Sequence, residues 1–159
     1  MKLLGNWTGV TYFERIHDYI PDTPLILCIE TIDEDGNVKG RITEIILDEK
    51  EAKRVQEYTR KTFPVVGYIE RESGKLYLKE VILSGTDKDS FTEGNLQIIA
   101  EVDYEKEEIE GRFYDLRWKE CVQVLELSKC HAAKNGCWLN LKTSPLIDAI
   151  AEEMGDYTD

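Results

Sequence analysis

NLQIIAEVDYEKEEIEGRFYD, residues 95–115, can be folded back on itself. With the turn at Glu105-Lys106, Val102 falls opposite Ile109 and Ile98 opposite Phe113, while Glu101 meets Glu110 and Asp103 meets Glu108. One face is apolar and the other charged, as in an antiparallel hairpin with one buried side. Gly111 stands mid-strand on the apolar face. Glycine weakens a strand interior unless it serves a bend, a bulge or a close approach.

The same device recurs in WTGVTYF (7–13), VKGRITEI (38–45) and VVGYIER (65–71), each with a glycine two residues after an apolar one. Lys39, Arg41, Glu70, Glu108, Glu110 and Arg112 occupy the opposite face, so the glycine face is the inner one. Further strands are expected at 25–32, 75–83, 95–104 and 121–127, joined by turn signals at Asp35-Gly36 and Ser73-Gly74. Folding about those turns sets Ile29 opposite Ile42, Thr31 opposite Gly40, Ile69 opposite Leu78 and Glu80 opposite Gly67. Bending glycines in a meander of eight strands predict an all-β fold, an antiparallel up-and-down barrel.

Two helices are expected beside it. Residues 48–60 start with Asp48 at the N-cap and Glu51 three residues on, giving a surface helix after the third strand. Residues 144–154 have Ser144 at the N-cap, Pro145 at the first helical position and Gly155 past the end. Leu146, Ile147, Ile150 and Met154 form an apolar stripe that must bury. The expected organisation is a barrel domain over 1–129 and an extension over 130–159, its helix packed on the barrel.

A hydrophobic content of 42% with 33% charged residues fits a soluble globular chain. The net charge of −12 argues against nucleic acid and anionic membrane surfaces, both of which need a basic footprint. It leaves a basic protein or a cation open as partner. There is no apolar leader-like stretch at the start, so a cytoplasmic location is expected. Cys28, Cys121, Cys130 and Cys137 form no C-x-x-C pair, so no metal or cofactor is expected. Reduced cysteines fit the cytoplasm, whereas a Cys130–Cys137 disulfide would require export.

Gly5-Asn6-Trp7-Thr8-Gly9 opens the first strand, followed by Asp35-Gly36, Gly67, Glu80-Val81-Ile82, Gly111 and Cys121. Over residues 4–129 this pattern resembles the calycin superfamily of lipocalin-like and avidin-like barrels, and most of all small bacterial lipocalin-like domains of unassigned function. The resemblance implies an arginine from the last strand lying over Trp7. Residues 121–128 contain none, leaving Arg112 or Arg117 to stand in.

Among possible site residues Glu80 stands out, because a carboxylate on the inner face is costly unless paired or protonated. It could hold a cationic or hydroxylated ligand group, or bond within the barrel and close one end. Trp7, Thr11, Phe13 and Thr31 are expected to share that interior. His17 in the mouth loop and His131 are the only histidines, and no serine or cysteine has a nucleophile's context, so no catalytic residue is assigned. The expected function is a non-enzymatic binding protein for a small, largely apolar ligand. The alternative is a filled barrel that acts through its outer face, as a homo-oligomer or with a basic partner.

Overall fold

The computed structural model describes residues 3–13, 23–47, 58–83, 91–117 and 122–130. They form β1 (Gly5–Phe13), β2 (Thr23–Ile32), β3 (Asn37–Leu47), β4 (Tyr58–Glu70), β5 (Lys75–Leu83), β6 (Phe91–Asp103), β7 (Glu108–Asp115) and β8 (Gln123–Lys129). Each strand pairs antiparallel with the next, and β1 pairs with β8, closing an up-and-down barrel. The inner-face glycines allow the strands to crowd as the sheet coils. A Cβ on Gly9 would fall on the Glu126 carbonyl oxygen, and one on Gly67 on that of Tyr77.

Three tight connections, residues 33–36, 71–74 and 104–107, all lie at one end of the barrel. Each finishes on a left-handed residue: Gly36 (φ 89°), Gly74 (φ 76°) and Glu107 (φ 56°). Asp33 organises the first turn, its Oδ1 accepting the N–H groups of Asp35 at 2.9 Å and Asn37 at 2.8 Å. The remaining connections, residues 14–22, 48–57, 84–90 and 116–122, all leave from the opposite end. The two ends are called the turn end and the loop end below.

The β6–β7 register is the one the sequence predicts, with Val102 opposite Ile109 and Ile98 opposite Phe113. The other two hairpins differ. In β4–β5 the left-handed glycine is the last residue of the turn and not its centre, so Ile69 pairs with Leu76, Gly67 with Leu78 and Val65 with Glu80. Moving a turn's centre by one residue moves the register by two and leaves every side chain on its expected face. In β2–β3, Ile29 pairs with Gly40 and Leu27 with Ile42, and a register shift follows between Ile29 and Thr31. The irregularity turns Thr31 to the exposed outer face opposite Lys39, so Thr31 is not the interior residue expected.

The expected helix 48–60 is also corrected at its end. Tyr58–Arg60 belong to β4, where they pair with the end of β3 from Ile45 to Leu47 and satisfy backbone groups that β3 would otherwise leave open. Residues 48–57 and 144–154 lie outside the described residues, as does the extension after Cys130.

Inward side chains from all strands fill the barrel. Trp7, Leu27, Ile42, Leu78, Ile98 and Phe113 are each at most 2% exposed. The outer surface is uneven. On β2 the outward Pro24, Ile26 and Cys28 are buried, together with Asn6 and Thr8 on β1 and Thr43 and Ile45 on β3. On β4–β6 the outward Tyr68, Lys79 and Ile99 are exposed, and Tyr68 stacks on Tyr77 with ring centroids 4.8 Å apart.

Candidate functional site

At the turn end the interior is sealed. Leu3 is fully buried, and its carbonyl accepts the Trp7 indole N–H at 2.9 Å. Lys129, at the end of β8, holds its ammonium 4.9 Å from the centre of the Trp7 ring and donates to the Leu4 carbonyl. Burial lowers the Lys129 pKa, partly countered by the Glu107 carboxylate, and the ring face and the carbonyl compensate the desolvated charge. The cation expected over Trp7 is therefore a lysine. Arg112 bonds instead to the Gly111 carbonyl and Arg117 to Asp115.

The loop end has a different lining. Following the inward parity of Ile42, Phe63, Leu78 and Phe113 toward that end reaches Glu44, Lys61, Glu80 and Asp115. Beneath them Ile42, Phe63, Val65, Leu78, Leu96 and Phe113 pack closely enough to leave no gap that would admit a water molecule. The inner face thus changes from a filled apolar floor to a charged collar.

Each collar member has a partner. Asp115 takes a two-pronged bond from Arg117, Nε to Oδ1 at 3.0 Å and Nη2 to Oδ2 at 2.8 Å, which holds its carboxyl below the usual range. Lys61 pairs across the sheet with Glu44 and places its ammonium 5.9 Å from the Phe63 ring centre. Burial pushes the Glu44 carboxyl up; Lys61 draws it back, while Glu80 and Asp115 push it further up.

Glu80 sits at an irregularity where Lys79 pairs with Gln97 but Val81 with Glu93. Its Oε1 accepts the Asn95 N–H at 3.1 Å, and the Asn95 carbonyl accepts the Leu116 N–H at 2.9 Å. The carboxylate thereby satisfies a backbone group that the bulge leaves unpaired. It also occupies the space where a Cβ on Gly94 would stand.

The structure thus separates the residues expected to act together. Trp7 belongs to the sealed turn end. Thr11 is buried and inward in the upper half of β1, Phe13 is half-buried at the loop end opposite Gln123, Glu80 lies in the collar, and Thr31 is outside the barrel. His17 and His131 lie outside the described residues. Glu44, Lys61 and Asp115 were not singled out from the sequence, although the alternation of their strands places them inward; Arg117, expected as a stand-in over Trp7, holds Asp115 instead. Chemically, the collar offers anionic and cationic groups to a ligand head. The outward pairs Glu101–Glu110 and Asp103–Glu108 are as expected, and among the described residues no group of three or more acidic, histidine or cysteine side chains is set to hold a metal ion.

The closed barrel of eight antiparallel strands is consistent with a calycin-like fold. No family model and no curated protein matches the chain. Among the described residues no helix is long and apolar enough to cross a membrane. Of the two described cysteines, Cys28 is free and Cys130 is disulfide-bonded.

Proposed function

We propose that the protein is a non-enzymatic binding protein that takes a small, largely apolar ligand with a polar head at the loop end of its barrel. The observation that carries this reading is the change of lining, from an apolar floor at Phe63 and Phe113 to the inward collar of Glu44, Lys61, Glu80 and Asp115. Binding functions concentrate where connecting segments surround a rigid scaffold, and the collar lies at that end. The filled floor favours a ligand seated on the collar over one threaded down to Trp7. The disulfide at Cys130 favours an oxidising compartment over the cytoplasm.

A second reading has its own support. The exposed Tyr68, stacked on Tyr77 beside Ile99, gives β4–β6 an aromatic outer face suited to a second copy or another protein.

Native mass spectrometry of gently purified protein tests the first reading against the second. A small adduct that leaves on unfolding and is weakened by Glu44→Gln supports the collar. Bare protein that runs as a dimer, and falls to monomer on Tyr68→Ser, sinks the collar reading and supports the outer face.

A further inference from the structure

One row of outward residues runs directly across six strands, from Tyr68 on β4 through Tyr77, Ile99, Arg112 and Val124 to Tyr12 on β1. Five of the six are apolar or aromatic, and Tyr68 and Ile99 are 47% and 39% exposed. The next row toward the turn end carries Glu101, Glu110 and Glu126, each directly opposite the next and all exposed. We propose that this face docks a cationic amphipathic segment of another protein, its apolar stripe on the first row and its basic side chains on the second. The proposal rests on the outer-face reading above and is independent of the collar.

Charge decides what the face accepts. Like charges directly opposite one another cost a sheet stability, and here three carboxylates meet across two consecutive pairings. Asp103 and Glu108 form a further such pair, so five carboxylates share this half of β6–β8 with one outward guanidinium, that of Arg112. Lys75 stands opposite Glu101 at the β5 end of the row. Tyr12 donates its hydroxyl to Glu126 at 2.9 Å, joining the aromatic row to the acidic one. A second copy would bring the same carboxylates and another net charge of −12, whereas basic side chains meet acceptors already in place.

The dimensions suit a helix laid across the strands. Two residues along a strand separate the rows by about 7 Å, within a helix diameter of about 10–12 Å. Strands about 4.8 Å apart space the carboxylates nearly as successive helical turns are spaced, about 5.4 Å. A groove of about 640 Å³ opens beside them, lined by Glu101, Glu110, Arg112 and Lys106 among others, and offers the segment a concave seat.

The probe is a labelled helical peptide of leucine and lysine, with its lysines along one edge of the leucine stripe, titrated by fluorescence anisotropy into the native full chain. Binding is expected, and it should weaken about tenfold in Glu110→Gln/Glu126→Gln and in Tyr68→Ser/Ile99→Ser. The glutamine variant should melt no lower than the wild type, since it relieves like-charge pairs, so its loss of binding is not a loss of fold. Glu30→Gln/Glu34→Gln, the same charge change at β2, should bind as the wild type does. Absence of binding to the folded wild type overturns the proposal, as does equal weakening in the β2 variant or equal affinity for a leucine–glutamate peptide. A dimer in native mass spectra that is lost on Tyr68→Ser overturns it while the outer-face reading stands. Peptide binding lost in Glu44→Gln but kept in both face variants removes both.

Discussion

The two ends of this barrel solve opposite problems. The turn end uses short connections, an indole bonded to Leu3 and a lysine laid over the ring, so that the chain's own groups satisfy one another. The loop end carries long connections and turns Glu44, Glu80 and Asp115 inward above a filled floor, at an electrostatic cost borne by Glu44. Groups that satisfy one another gather where the chain is tight and inward charges where it is open, the division on which the proposed binding surface rests.

Trp7→Ala should produce the largest effect. Removing a buried indole that also holds Leu3 and Lys129 is expected to lower stability by about 3–5 kcal/mol in denaturant unfolding. A loss below about 1 kcal/mol would break the contrast between the ends. Gly67→Ala should come next, at about 2–3 kcal/mol, because the new methyl meets the Tyr77 carbonyl and the two strands must separate. Its mid-barrel position tests whether the coil itself, and not the seal alone, supports the fold.

At the loop end the sign reverses. Glu44 has a folded pKa above its unfolded value, so its contribution to stability is full below the unfolded carboxyl range, about 4.3, and is lost as pH rises through the folded value. Glu44→Gln should therefore stabilise the protein near neutral pH by about 1 kcal/mol, with the gain shrinking toward about pH 4. Paired urea titrations at the two pH values check it, and destabilisation at neutral pH would remove the cost assigned to the collar. The smallest change is Glu107→Gly. It replaces the one described non-glycine residue at positive φ and should add about 0.5–1 kcal/mol, read as a small rise in melting temperature.

Much of the barrel was legible because alternation survives errors of register. The turn at Gly74 is centred a residue earlier than expected, yet Ile69 and Glu80 kept their faces since the register moved by two. Thr31 was lost because the irregularity beside Glu30 arises from pairing with β3, which local alternation does not record. The collar was legible in principle. Val38, Gly40 and Ile42 carry the parity on to Glu44, and Ile109, Gly111 and Phe113 carry it on to Asp115; charge at those positions obscured it. Lys129 follows Leu125 and Leu127 in the same way. The bond from Asn95 to Glu80 was beyond reach, since it depends on a bulge in a neighbouring strand.

The seam between β1 and β8 also sets an order of events. Seven of the eight strand pairings join strands consecutive in sequence, but Lys129 reaches a carbonyl 125 residues away. Closing so long a loop is entropically the costliest step of assembly and gains nothing until the hairpins between exist. The Trp7–Lys129 contact should thus be absent from the folding nucleus and form last. Substitutions there should chiefly accelerate unfolding and leave the folding rate nearly unchanged.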